Sequence, residues 1–452
     1  MFRRYLFVLA LALLSACSTT PSTSPESAQG GATAQDDRVV QEEITRYVTT
    51  AEASVEAQVV SYLKDKGVTL PRLRALIKQR PLNRTGKSGT FFNLPVKSQG
   101  REYPFSLFVP PMEDGREYPL VVILHGAGGN GKTTLSRWIE RLGGDFIIAC
   151  PSYPMGAWWS LRAETLVLNL IQHLRTLYPV DTNRVLLAGL SNGAVGAYMI
   201  GMFYPDYFAG VVPIAGTISE RYMHFLINLV NTPLYTIQGE HDPIFPIKYT
   251  QRIQKILTSM KYPAVFRVHA ENTSAHGGHF LPDGEVAPLV AWMKQQKRTA
   301  NPAVVRMVRE SNHMGPIQWA RLTKGLELAS LQLPGPEKEP LNVRNGKIAT
   351  LIGLKTGDNQ FEIQGKNMLE HELRLSSEMV DFSKPVKVTF IEIQQEGNKL
   401  ITVPKGVSFE GMVEPKIETL LKSYKNRLDP DLLYEAIVPI SVEEKVQIAA
   451  LP

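Results

Sequence analysis

PLVVILHGAGGNGKTT, residues 119–134, is an apolar run that breaks into a glycine-rich turn, and the fold depends on how that turn is read. Two readings compete. From Gly126 it spells G-x-x-x-x-G-K-[ST], the loop whose backbone amides cradle phosphates while its lysine, here Lys132, reaches the terminal one. From His125 it spells HGxGG, a loop whose amides hold a carbonyl oxygen as it turns negative during ester cleavage. The first reading requires a magnesium-binding acid at the end of a second strand, the second a nucleophile elsewhere in the chain.

Working outward, apolar runs of strand length recur on both sides of the turn. TFFNLPV (90–96) and YPFSLFVP (103–110) precede it, separated by short turns. FIIAC (146–150), VLLAG (185–189), GVVPIAG (210–216), PLYTIQG (233–239) and AVFRVHA (264–270) follow, most of them alternating with helix-length segments. Short β-branched runs spaced by helices predict a mostly parallel sheet buried on both faces, with its chemistry in the loops beyond the carboxyl ends of the strands.

One of those ends carries the single G-x-S-x-G of the chain, Gly189-Leu190-Ser191-Asn192-Gly193, between VLLAG and the helix-like AVGAYMIGMF. A strand that turns sharply into a helix holds its turn residue in a strained conformation, and small neighbours let the chain pass. Ser191 then projects above the sheet as a nucleophile. A serine hydroxyl at neutral pH needs a base, and the base needs an orienting carboxylate, in the order Ser, Asp, His along later strand ends. Glu240-His241-Asp242-Pro243 follows PLYTIQG, and ENTSAHGGHF (271–280) follows AVFRVHA. Asp242 is preferred to Glu240 because Pro243 and Pro246 fix a short carboxylate just past the strand. His279 is preferred to His276 because Gly277 and Gly278 allow close backbone approach. His241 and His269 read as structural.

With these residues in place, the stretch from about 90 to 298 resembles the α/β-hydrolase family, most of all bacterial esterases of the polyhydroxybutyrate depolymerase and feruloyl esterase type. The matching segments are LHGAGG (124–129), VDTNRVLLAGLSNGA (180–194), YPDYFAGVVPIAG (204–216), GEHDPIFP (239–246) and HGGHF (276–280). The resemblance implies Ser191 as nucleophile, His279 as base and Asp242 as its orienter, with no cofactor and no metal. It places the oxyanion on the backbone amides of Ala127 and Asn192, with Gly128 next. The loop reads His-Gly-Ala-Gly-Gly here, a departure from the three glycines that the family carries after its histidine.

The phosphate-loop reading fails on context. VLLAG and VVPIAG end in glycine instead of a magnesium-binding acid, and AVFRVHAE is interrupted by Arg267 and His269. Lys132 and Thr133 therefore open a helix after the oxyanion loop. Trp158 and Trp159 follow FIIACPSYP at the edge of the sheet that carries Ser191. They are candidates for lining the substrate pocket, against packing or a lid, while Arg162 and Glu164 read as surface or helix-start residues.

The remaining segments set the surroundings. MFRRYLFVLALALLSAC (1–17) reads as an export signal ending in a lipobox, so Cys17 is expected to carry lipid and tie the chain to a bilayer of the cell envelope, on its periplasmic or surface face. Cys150 is the only other cysteine, which leaves no disulfide within the chain. Residues 18–37 read as a flexible tether, 38–82 as a helical segment with one amphipathic helix up to about Lys66, and 83–299 as the catalytic α/β unit. Residues 300–452 read as a small antiparallel β-sandwich with a helix near 415–426 and a final strand near 436–442. The part around 359–390 resembles β-sandwich appendages of some bacterial hydrolases. The formal charge of +6, from 49 basic and 43 acidic residues, is spread along the chain and leaves no nucleic-acid footprint. The expected function is an exported serine hydrolase acting on a small or polymeric ester. A peptidase or a catalytically silent binding lipoprotein on the same fold is the alternative, and a nucleotide-binding protein the remote one.

Overall fold

The computed structural model describes residues 34–80, 84–273, 275–331, 333, 335–337 and 344–442. The expected export signal, Cys17 and residues 18–33 of the expected tether lie outside the described residues.

Three helices lead the chain: α1 (Ala34–Thr49), α2 (Ala53–Asp65) and α3 (Leu70–Lys78). The single helix expected up to Lys66 is therefore two. The break follows the β-branched run Val48-Thr49-Thr50, where Thr50 Oγ1 accepts the Glu52 amide at 3.1 Å and so offers the backbone an alternative to another helical turn. Folding back lets Val40 and Ile44 of α1 and Val59 and Leu63 of α2 share one core.

The α/β unit is built from β1 (Gly89–Ser98), β2 (Arg101–Val109), β3 (Tyr118–Leu124), α4 (Gly131–Leu142), β4 (Ile147–Pro151), α5 (Leu161–Leu177), β5 (Val180–Leu190), α6 (Asn192–Phe203), β6 (Gly210–Ile214), β7 (Leu234–Gly239), α7 (Ile247–Ser259), β8 (Ala264–His269) and α8 (Val286–Gln295). Its eight strands lie in the order β1-β2-β4-β3-β5-β6-β7-β8. Only β1–β2 and β2–β4 pair antiparallel; β3 to β8 run parallel because each is reached through a helix or a long connection. All seven residues of β3 are buried. Leu120, Val122 and Leu124 join the layer of α5 and α6, while Val121 and Ile123 join that of α4 and α8, which is why the run is apolar without alternation.

The C-terminal part contributes β9 (Val304–Arg309), β10 (Ala320–Gly325), β11 (Ala349–Gly357), β12 (Gln360–Lys366), β13 (Met368–Leu375), β14 (Val386–Glu396), β15 (Lys399–Gly411), α9 (Ile417–Arg427) and β16 (Ala436–Ser441). A five-stranded sheet, β15-β14-β12-β11-β9, faces a three-stranded one, β10-β13-β16, across a core that includes Trp319, Leu351, Phe361, Leu373 and Val388. Pairing is antiparallel as expected, except between β12 and β14, which run parallel because the chain visits β13 in the other sheet between them. β15 was not expected: Pro404 and Gly406 interrupt its pattern. An edge strand with register shifts tolerates both.

Helix α9 leaves the sandwich to pack Leu420, Leu421 and Tyr424 against the N-terminal helices. Buried ion pairs tie the same region to the α/β unit, Arg298 to Asp429 at 2.7 Å and Arg427 to Asp206 at 2.7 Å.

Candidate active site

The turn after β5 is shaped by what cannot fit there. Ser191 has φ +60° and ψ −122°, left-handed backbone that costs a non-glycine residue about 1–3 kcal/mol. A Cβ added to Gly189 would lie 2.0 Å from the Gly193 carbonyl oxygen, and one added to Gly193 would lie 2.0 Å from that of Leu124. Both glycines of G-x-S-x-G are thus required by contact between the turn, α6 and β3. The Ser191 amide donates to the Ile214 carbonyl at the end of β6 (3.0 Å), which anchors the turn to the rim of the sheet.

Two strands further along the same rim, Asp242 is buried and fully engaged. Its Oδ1 accepts the amides of Ile244 and Phe245, each at 2.9 Å, and its Oδ2 accepts Gln238 Nε2 and His279 Nδ1, also at 2.9 Å. Because a carboxylate only accepts, Nδ1 carries the imidazole proton and Nε2 keeps its lone pair. The Phe245 ring stacks beside the imidazole, with centroids 5.8 Å apart. Gly239 and Gly278 let the two loops meet: a Cβ on Gly239 would lie 2.1 Å from the Gly278 carbonyl oxygen. Glu240 and His276 are exposed and outside this arrangement. His241 is exposed too, while His269 is buried against Phe280. Among the described residues Ser191 Oγ makes no hydrogen bond, so the structure joins Asp242 to His279 and sets Ser191 on their rim without closing its bond to the base. Such contacts tighten when substrate binds.

The loop after β3 faces Ser191. A Cβ on Gly126 would lie 3.1 Å from Ser191 Cβ and 3.6 Å from its Oγ. Residues 126–129 form a turn closed by the Gly129 amide on the Gly126 carbonyl (3.1 Å), with Gly128 supplying φ +68° at its third position. His125 holds it from behind. Its Nε2 accepts the Tyr153 amide at 3.1 Å, so Nδ1 bears the proton and donates to the Gly126 carbonyl at 2.7 Å. Burial lowers the pKa of this imidazole, which keeps it neutral in that role. Among the described residues no acceptor takes the Ala127 or Gly128 amide, and the Asn192 amide opens α6, where an N–H has no partner within the helix. The Asn192 side chain donates to the Met155 carbonyl at 3.1 Å.

The same loop disposes of the phosphate cradle. The amides of Gly129, Gly131, Thr133 and Thr134 are taken by the Gly126 carbonyl, Ser152 Oγ (2.8 Å), Asn130 Oδ1 (3.0 Å) and the Asn130 carbonyl. The Lys132 ammonium rests over the Phe92 ring, 5.5 Å from its centroid, on the β1 side.

Trp158 needs correction as a pocket residue. It is wholly buried, donates from Nε1 to the His125 carbonyl at 2.8 Å, and packs so close to α6 that a Cβ on Gly196 would lie 2.2 Å from its own Cβ. Trp158 therefore props the oxyanion loop. Trp159 is half-buried and packs on the same core. Glu164, expected at the surface or a helix start, stands in the first turn of α5 but is buried there and bonds His313 of the C-terminal part at 2.8 Å. Sequence reasoning missed Gln238, Met155 and Ile244. Gln238 had one legible signal, an amide side chain inside an otherwise apolar strand; Met155 and Ile244 had none.

Residues 161–278, from α5 past the Ser191 turn to the Asp242 loop, match the phospholipase/carboxylesterase family model. Over that stretch the chain is similar to that family. Solved structures similar to the chain include a thermostable esterase, at 23% identity and TM-score 0.39, covering 46% of this chain and 63% of that one. The chain thus spans less than two thirds of that relative. An S-formylglutathione hydrolase from Staphylococcus aureus aligns at 16% identity and TM-score 0.39, covering 47% of this chain and 99% of the other. A ferulic acid esterase aligns at 16% identity and TM-score 0.37, covering 46% and 98%. No curated protein sequence matches the chain.

Proposed function

We propose that the protein is an exported serine hydrolase that cleaves carboxylic esters through an acyl-enzyme. The observation that carries the reading is the 2.9 Å bond between Asp242 and His279 on the rim that holds Ser191 in its strained turn. The phospholipase/carboxylesterase match over residues 161–278 supports an ester as the scissile group.

In this mechanism His279 Nε2 takes the proton of Ser191 as its Oγ attacks the ester carbonyl. Asp242 holds the imidazole tautomer and balances the imidazolium that forms. The amides of Ala127 and Asn192, with Gly128 next, receive the oxyanion, and each such donor lowers the barrier by about 3 kcal/mol. Collapse expels the alcohol, which takes the proton from Nε2; water then repeats the sequence and frees the acid. Exposed Met155 and Ile244, bonded through their backbones to Asn192 and Asp242, favour an ester with apolar groups, whether small or polymeric.

A fluorophosphonate probe should label Ser191, and Ser191→Ala should lose both labelling and turnover of p-nitrophenyl esters. Labelling at another residue, or hydrolysis of short peptide amides in preference to esters, would replace this reading. Attachment to a cell-envelope bilayer through lipidated Cys17 belongs to the proposal and rests on residues 1–17 alone. Cys17→Ala should move the protein from the membrane pellet to the soluble fraction.

A further inference from the structure

Away from Ser191, a cavity of about 750 Å³ lies between the helical segment Glu220–Asn231 and the outward face of the five-stranded sheet. Its origin is the pleat. Ala349, Leu351 and Gly353 of β11 point into the sandwich core, so Thr350 and Ile352 point out. Val388 and Phe390 of β14 point in, which turns Ile391 and Ile393 out. An outward sheet face is ordinarily polar; this one carries Ile352 on β11 and Ile391 and Ile393 on β14, with Glu362, Gln364 and Lys366 on β12 between them. The segment covers only the β9 edge, where Asn228 bonds both the amide (2.6 Å) and the carbonyl (3.3 Å) of Val308. Past β9 the sheet leaves the segment behind. Ile352, Ile393 and the 66% exposed Leu400 line the gap with Ile227.

The charged groups of the cavity carry one sign. Among the described residues Arg221, Lys347 and Lys366 line it and no aspartate or glutamate does. Among the same residues Lys366 bonds the neutral Gln395, at 2.7 Å, and Lys347 reaches an exposed Glu327 at 3.8 Å, a pair of little strength in water. His224 also lines the cavity. Its ring lies against Phe225, with centroids 4.1 Å apart. An apolar hollow of this volume with a few convergent polar groups has the make-up of a small-molecule site.

We propose that this cavity binds a long-chain carboxylate. The hydrocarbon lies along Ile352, Ile393 and Leu400, and the carboxylate sits among the three cations. The site is separate from Ser191, and the proposal does not rest on the ester reading.

The test is a fluorescence titration of the full chain with cis-parinaric acid, in wild type and in Ser191→Ala. Binding should saturate at one per chain in both and be displaced by palmitate; in Ser191→Ala, where the ester stays intact, it should resist methyl palmitate, which lacks the charge. Ile352→Trp, which fills the hollow, should weaken binding at least about tenfold, and so should the surface pair Arg221→Glu with Lys366→Glu, whose folding is not at risk. Equal displacement by methyl palmitate would overturn the proposal, as would binding that survives both variants. Loss of binding when Ser191 is phosphonylated would place the carboxylate in the other site and overturn it too. None of these readouts needs turnover, so an inactive enzyme would refute the ester reading and leave this test intact.

Discussion

Asp242→Asn tests the relay at its least replaceable atom. One carboxylate oxygen becomes an NH2, and the structure decides which. At the Oδ1 position the new amide would face two backbone N–H groups, those of Ile244 and Phe245, each now 2.9 Å away. Two unsatisfied donors there would cost about 1–3 kcal/mol apiece. At the Oδ2 position it would face Gln238 Nε2 and His279 Nδ1. Gln238 is held by the Phe245 carbonyl (2.9 Å) and Thr250 Oγ1 (3.3 Å), but the imidazole can change tautomer without moving. The lower-energy outcome keeps Oδ1 on its two amides and turns the new NH2 toward His279. Its Nδ1 must then accept, the proton moves to Nε2, and the base that faces Ser191 is gone. The expected fall in kcat/KM for p-nitrophenyl acetate is about 10⁴-fold, near 5.5 kcal/mol of transition-state stabilisation, with KM almost unchanged. The fluorophosphonate labelling rate should fall in parallel, and thermal unfolding would show whether the fold has survived. Exposed Glu240, as Glu240→Gln, should match wild type. Turnover within tenfold of wild type in folded Asp242→Asn, or an equal loss in Glu240→Gln, would refute the assignment.

Three further outcomes follow from other contacts. Gly193→Ala should fail to fold or lose more than about 4 kcal/mol, measured by urea unfolding, because its methyl would meet the Leu124 carbonyl at 2.0 Å, with β3 backbone that cannot yield. Lys132→Ala should leave ester turnover intact and create no deficit in Mg-ATP affinity, since its ammonium only covers Phe92; stability should change by about 1 kcal/mol or less, checked by thermal melts and calorimetric titration. His313 makes a pH latch between the two parts of the chain. Burial alone would lower its pKa, but Glu164 and Glu310 together raise it to about 9. A raised folded value means that the stabilisation is complete below the unfolded pKa near 6.5 and is lost as pH climbs through 9. Wild type should therefore lose its melting-temperature advantage over His313→Gln across that window, and a constant difference would refute the latch.

Local chemistry explains why so much of the α/β unit was legible. Runs such as PLVVIL and VLLAG are apolar without alternation because both faces of a parallel sheet are covered, and each was followed by a break with its own chemical signature. The order Ser191, Asp242, His279 could be read because each residue follows a strand end, and parallel strands bring their carboxyl ends to one rim whatever the intervening helices contain. The same logic separated Asp242 from Glu240, since two prolines constrain the shorter side chain's loop.

Contacts between segments distant in sequence were not legible, because no local period records them. Nothing in SYPMGAWW says that Trp158 would prop the oxyanion loop in place of lining a pocket; that follows from α6 passing within contact distance at Gly196. Glu164 is the helix-start residue it looks like, but nothing local shows that His313, about 150 positions later, lies buried beside it. Strand β15 hid its pairing behind Pro404 and Gly406, which an edge can tolerate and a periodic pattern cannot show. The chain alone therefore determined the parallel sheet, the turn at Ser191 and the residues eligible for the relay, since those depend on spacing and steric demand over a few residues. Only the tertiary structure decided which amides stay without an acceptor among the described residues, and that Ile352 and Ile393 would stand open beside Arg221, Lys347 and Lys366. Those outcomes depend on the packing of whole elements against one another, where a shift of an ångström changes the partner.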